Sequence, residues 1–103
     1  MRLDGAGGLP IDDPNAAWYS VGQVADMLGL QPAFVRRLDT EQMVQPARSP
    51  GGQRRYSRHE IGQVQHVAQL ASEGLTLEGI RRIMVLEAEV ADLKRQLAAR
   101  RKG

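Results

Sequence analysis

Apolar residues recur at helical spacing in four stretches of this chain, and the spacing lapses once, between the second stretch and the third. Val21, Val24, Ala25 and Leu28 stand at i, i+3, i+4 and i+7, one apolar face of a two-turn helix. Ser20 and Gln23 bracket its start as a capping box: the hydroxyl accepts from the third helical amide and the Gln side chain reaches back. Gly29 follows the last apolar position and supplies the left-handed residue that ends a helix. Pro32 marks the first turn of a second helix, where a missing amide proton leaves no bond unmade. Gln31 ahead of it is a weak cap. In that second helix Phe34, Val35 and Leu38 face inward, which turns Ala33, Arg36, Arg37 and Thr40 outward. Two helices joined by a short Gly-containing turn predict a helix-turn-helix.

The lapse falls between Met43 and Tyr56. Met43-Val44-Gln45 and Arg54-Arg55-Tyr56 read as two short strands joined by Pro46 to Gln53, with Gly51-Gly52 free to adopt positive φ at a protruding tip. A second capping box, Ser57-Arg58-His59-Glu60, opens a third helix. Its inner face is Ile61, Val64, Val67, Ala68 and Ala71, and Glu73-Gly74 end it. Thr76 caps a fourth helix that begins with Leu77 and Ile80. Ile83, Leu86, Val90, Leu93 and Leu97 follow at alternating intervals of three and four, the seam of a coiled coil. From Leu77 to Arg101 this helix would be roughly 37 Å long at 1.5 Å per residue. No other stretch remains to cover its far end, so a second copy of the chain is the expected partner, ahead of the alternative in which the helix folds back onto its own domain. With two to three heptads the coil depends on its attached domains for stability.

Composition strengthens that expectation and narrows the chemistry. Trp18, Tyr19, Phe34 and Tyr56 are the only aromatic residues, so the core is aliphatic and thin, and partnership with a second chain follows naturally. The absence of cysteine excludes disulfides, thiolate metal sites and cysteine nucleophiles, and suits a reducing compartment. No apolar run approaches the roughly 20 residues of a membrane span. The N-terminus, rich in Gly and Asp, has no hydrophobic signal segment. A cytoplasmic, nucleoid-associated protein is expected. His59 and His66 stand on one side of the third helix but about 10 Å apart along its axis, too far to share one ion. No nucleophile has a base at helical or hairpin spacing, and Gly51-Gly52 lacks the Lys-Ser/Thr of a phosphate-binding loop. Neither a metal, a cofactor nor an enzyme activity is expected.

The formal charge of +2 conceals a strong alternation. Residues 1–33 carry one Arg against four Asp; residues 34–58 carry Arg36, Arg37, Arg48, Arg54, Arg55 and Arg58 against Asp39 and Glu41. Residues 59–80 are acidic again, and residues 81–103 return to a net +4. Two basic blocks flanking an acidic one point to a polyanion-facing surface. Outward guanidinium groups on a helix suit guanine edges and phosphates alike; ion pairs with Asp39 or Glu41 are the other use open to Arg36 and Arg37. Tyr56, alone between a strand and a helix, suits core packing as well as contact. The final Arg100-Arg101-Lys102 run reads as a solvated helix end favoured by the helix dipole.

Specific runs then match a family. Tyr19-Ser20-Val21-Gly22-Gln23-Val24-Ala25, followed by Gly29, Pro32, Arg36 and Asp39 and then by Gly52-Gln53-Arg54-Arg55-Tyr56-Ser57, resembles the MerR family of bacterial transcriptional regulators. Leu75 to Ile83 continues the match into the fourth helix, and these stretches look most like the heat-shock-repressor branch. The resemblance implies a mainly α fold: a winged helix-turn-helix DNA-binding domain with a small β-hairpin wing and a C-terminal coiled-coil dimerisation helix. Residues 1–17, with Gly5, Gly7, Gly8, Pro10 and Pro14 and few apolar positions, read as a disordered arm, which leaves a DNA-binding domain over 18–85 and a dimerisation helix over 86–103.

Inverted-repeat double-stranded DNA is the implied ligand, bound by a homodimer joined through an antiparallel coiled coil. On this pattern Arg36 is the contact from the second helix, Arg54 and Tyr56 are wing contacts, and Ser20 and Gln23 cap the first helix near phosphate. Arg37, Arg48 and Arg55 add to the same basic surface. Ile83, Leu86, Val90, Leu93 and Leu97 form the dimer seam. Family members usually carry an aromatic pair after the helix-2 arginine; here Arg37-Leu38 stand instead, and the Arg37 guanidinium takes the place of a tyrosine-phosphate contact. Ligand-sensing members carry a long effector domain beyond the point where this sequence reaches Gly103. The heat-shock branch implies a DnaK-like chaperone as co-repressor. Two other functions share the same features: an architectural or excisionase-like DNA bender, and a coiled-coil adaptor whose basic patch meets an acidic protein.

Overall fold

The computed structural model describes residues 13–102, so the expected arm over residues 1–17 lies largely outside the described part. Its elements are α1 (Val21–Leu28), α2 (Pro32–Thr40), β1 (Ala47–Arg48), β2 (Arg54–Arg55), α3 (Arg58–Ser72) and α4 (Leu77–Lys102). The backbone divides into two units inside α3, one reaching His66 and the other starting at Val67. Residues 85 and 86 both lie within α4, which runs unbroken through them.

In the first unit, α1 starts and stops where its caps require. The Ser20 hydroxyl accepts from the Gln23 amide at 3.2 Å, and the Gln23 side-chain oxygen accepts from the Ser20 amide at 2.8 Å. Gly29 ends the helix at φ 68°, a left-handed conformation in which a β-carbon would be strained. After three connecting residues α2 begins at Pro32, with no side-chain cap from Gln31. Helix α1 packs on α2, and Val24, Ala25, Val35 and Leu38 are fully buried. Burying each of the larger side chains contributes roughly 1.5–3 kcal/mol, so this small core is the main source of stability for the helix pair.

Two details differ from the sequence expectations. The first strand is Ala47–Arg48, not Met43–Gln45. Met43 and Val44 are instead buried where the chain leaves α2, their amides both directed to the Leu38 carbonyl at 2.8 and 3.3 Å. Gln42 makes this exit possible with a left-handed φ of 60°. Pro46, which has no amide proton, follows, and pairing starts only after it: Ala47 opposes Arg55 and Arg48 opposes Arg54 in an antiparallel register. The tip closes with the Gly52 amide on the Ser49 carbonyl at 2.8 Å, Gly52 having φ 83°.

The second difference concerns the arm. Its last residues, 13–17, have defined structure, because the Pro14 carbonyl accepts the His59 amide at 2.9 Å. That amide lies in the first turn of α3 and has no acceptor within the helix. The α3 capping box is complete, with Ser57 and Glu60 exchanging bonds of 2.9 and 3.0 Å. Ile61 and Val64 are buried on the part of α3 that belongs to this unit.

In the second unit α3 ends near Gly74, at φ 93°, and the Thr76 hydroxyl accepts the Gly79 amide at 3.1 Å to open α4. Val67 and Ile80 are buried. At 26 residues α4 is about 39 Å long. Among the described residues no helix is long and apolar enough to cross a membrane.

Candidate nucleic-acid interface

The basic block of the first unit is assembled from three elements. The inward positions of α2, Val35 and Leu38, are buried, and the same helical turn leaves Arg36 and Arg37 exposed. Arg37 pairs with Glu41 one turn on at 3.3 Å, one of the two uses its sequence allowed. Arg36 has no side-chain hydrogen bond or ion pair among the described residues, and its carbonyl accepts the Thr40 hydroxyl at 3.2 Å.

Two of the hairpin arginines, Arg48 and Arg54, are held by Asp39, which the sequence suggested only as a neighbour for Arg36 or Arg37. One oxygen of this carboxylate accepts from Arg54 Nε at 2.6 Å and from Arg48 Nη2 at 2.9 Å. Arg48 also donates to the Gly52 carbonyl at 3.3 Å. Arg55 donates to the Arg54 carbonyl and to the Gln53 side chain, both at 3.2 Å. The signal for Asp39 was present in the sequence as the single acid on the outer part of α2 that follows Arg36 by one helical turn. Its partners lie 9 and 15 residues away, beyond the reach of helical spacing.

These groups surround a concavity of about 370 Å³. Ser20, Val21 and Gly22 line it from the start of α1, Arg36 from α2, and Arg48, Gly52, Gln53, Arg54 and Arg55 from the hairpin. The structure thus brings together Ser20, Arg36, Arg48, Arg54 and Arg55. Gln23 and Arg37 are not part of that lining; Gln23 is committed to the α1 cap and Arg37 to Glu41.

Tyr56 requires a correction. Its side chain is fully buried, and its hydroxyl has no hydrogen-bond partner among the described residues, so the ring serves the core and offers no wing contact in this conformation. Burial pushes the phenol above its ordinary range, and the nearby Asp39 carboxylate pushes in the same direction, against the opposing influence of Arg54 and Arg48.

In the second unit the seam on α4 is open. Leu86, Val90, Leu93 and Leu97 are each 48–62% exposed, whereas Ile83 is half-buried. Val85, outside the seam's spacing, is exposed as well. Ile83, Leu86, Glu87, Val90, Ala91 and Lys94 line a groove of about 370 Å³.

A helix pair with a three-residue connection, carrying an arginine-bearing hairpin beside its second helix, defines a helix-turn-helix protein. The chain belongs to the MerR HTH family of regulatory proteins, whose sequence model matches residues 19–86. It is 40% identical over 81 residues to a Streptomyces coelicolor protein provisionally named heat shock protein HspR, across 78% of this chain and 54% of that protein. It is 24% identical over 76 residues to the HTH-type transcriptional regulators GlnR of Bacillus anthracis and Bacillus cereus, across 74% of this chain and 59% of each. The chain therefore spans little more than half the length of these relatives.

Proposed function

We propose that the protein is a dimeric, sequence-specific transcriptional repressor that binds inverted-repeat promoter DNA. In this reading α2 enters the major groove with Arg36 toward the bases, and the hairpin acts as a wing along the phosphate backbone. The α4 seam pairs with a second copy as an antiparallel coiled coil, which doubles the half-site. The observation that carries the reading is the position of Arg36: exposed, without a side-chain partner among the described residues, and on the rim of the concavity shared by Arg48, Arg54 and Arg55. A guanidinium left unpaired beside three others is well suited to phosphate and guanine. Membership of the MerR HTH family and the names of its relatives support regulation of transcription. The site of action is the cytoplasm, on the nucleoid.

The test is selection of duplexes from a random pool, followed by titration of selected and random duplex at matched ionic strength. A repressor of this kind retains the selected duplex preferentially. With roughly six or more phosphates neutralised per dimer, affinity falls about 10³-fold or more between about 50 and 200 mM salt. Equal retention of both duplexes rules the reading out in favour of a non-specific binder. Adding a purified DnaK-like chaperone to the same titration tests the co-repressor expectation, for which tighter retention of the selected duplex is the predicted result.

A further inference from the structure

Asp39 occupies an unusual place in the basic block. It sits on the last turn of α2, one turn beyond Arg36, and its side chain is only 15% exposed. Its two partners, Arg48 and Arg54, are direct cross-strand neighbours in the hairpin register. One carboxylate oxygen therefore ties both strands to α2, at 2.9 and 2.6 Å. The Arg48 guanidinium extends the tie to the tip through the Gly52 carbonyl. Only two residue pairs hold the hairpin together as a ladder, too few to fix its direction by themselves. Without the carboxylate, two cations would stand side by side and repel.

We infer that Asp39 is a positioning residue that sets the angle between α2 and the hairpin, and that through this angle it governs discrimination between specific and non-specific DNA. The inference rests on the proposed DNA-binding function. It separates two effects that a simple charge count merges. Removing an acid from a DNA-binding face strengthens attraction to every duplex, because two arginines are released and the face becomes more positive. A hairpin freed from α2 no longer meets the backbone in register with the base contacts, so the specific complex loses what the non-specific one never had.

The experiment is titration of the full chain, as wild type, Asp39→Asn and Asp39→Glu, against duplex selected by the wild type and against random duplex over a range of salt. For Asp39→Asn the expected result is unchanged or tighter binding to random duplex with a steeper salt slope, together with at least a tenfold fall in the ratio of specific to random affinity. Asp39→Glu, which keeps the charge on a longer arm, restores most of that ratio. Parallel shifts of both affinities in Asp39→Asn, leaving the ratio unchanged, overturn the inference while leaving the proposed function standing. A wild type that does not discriminate overturns both. If Asp39→Asn is unfolded by circular dichroism, Arg48→Lys takes its place, since it keeps the charge and gives up the simultaneous bonds to Asp39 and Gly52. A fall in its ratio, with faster exchange of the Ser49 and Gly52 amides in the free protein, supports positioning; an unchanged ratio overturns it.

Discussion

The main chains of Tyr19 and Tyr56 pair in both directions: the Tyr19 amide donates to the Tyr56 carbonyl at 3.0 Å and the Tyr56 amide to the Tyr19 carbonyl at 2.6 Å. This bridge joins the start of the helix-turn-helix to the end of the hairpin, so α1, α2 and both strands lie within one closed segment. The basic concavity is drawn wholly from that segment, which is why residues far apart in the chain share one surface.

Arg36→Ala separates recognition from stability. Its side chain has no partner within the described protein, so thermal unfolding should shift by no more than about 0.5 kcal/mol. Loss of a good guanidinium contact costs about 1–3 kcal/mol of discrimination, or roughly 5- to 150-fold in affinity for a selected duplex. Fluorescence anisotropy and a thermal melt on the same preparation check both figures.

Tyr56→Phe should leave DNA affinity unchanged, in contrast to what a wing contact requires. Removing a buried hydroxyl that has no partner among the described residues is expected to be neutral or to stabilise the protein by up to about 1 kcal/mol, measured by denaturant unfolding.

The same phenol predicts a response to alkaline pH. Its folded pKa is raised, so the fold favours the protonated form. The resulting stability is fully present below the unfolded value, about 10, and is lost as pH rises through the higher folded value. Ultraviolet titration of the wild type should show a tyrosinate forming above the ordinary range, and this component should vanish in Tyr56→Phe.

Leu93→Glu tests the seam. The residue is 62% exposed in the chain described, so the substitution should leave each chain folded while setting an acid in the centre of a paired α4. Sedimentation velocity should change from dimer to monomer. Affinity for an inverted-repeat duplex should fall by roughly 10²-fold as the second half-site is lost. An unchanged dimer excludes the α4 seam as the interface.

Gln42→Gly addresses the exit from α2. A side chain at φ 60° carries a cost of about 1 kcal/mol that glycine avoids, so the substitution should raise the melting temperature without altering DNA affinity.

Local rules account for the parts that were legible in advance. The boundaries of α1 follow from a capping box and a glycine, that of α2 from Pro32, and the starts of α3 and α4 from Ser57 and Thr76, each a contact within about one helical turn. The strand expected at Met43–Gln45 failed for a matching reason. Three residues of apolar character do not distinguish a strand from a buried helix exit, and the Leu38 carbonyl, not a neighbouring strand, takes the Met43 and Val44 amides.

The amino-acid order by itself determined four helices, an outward Arg36, a hairpin with a glycine tip and an apolar seam along α4, because each depends on periodicity or on neighbours a few residues apart. Only the tertiary structure decided which arginines are committed and which are free. Arg48 and Arg54 are drawn to Asp39 across long separations, Tyr56 is turned into the core, and Arg36 is left open. Charge pairing between distant residues depends on the path of the chain in space, and no spacing rule carries that information.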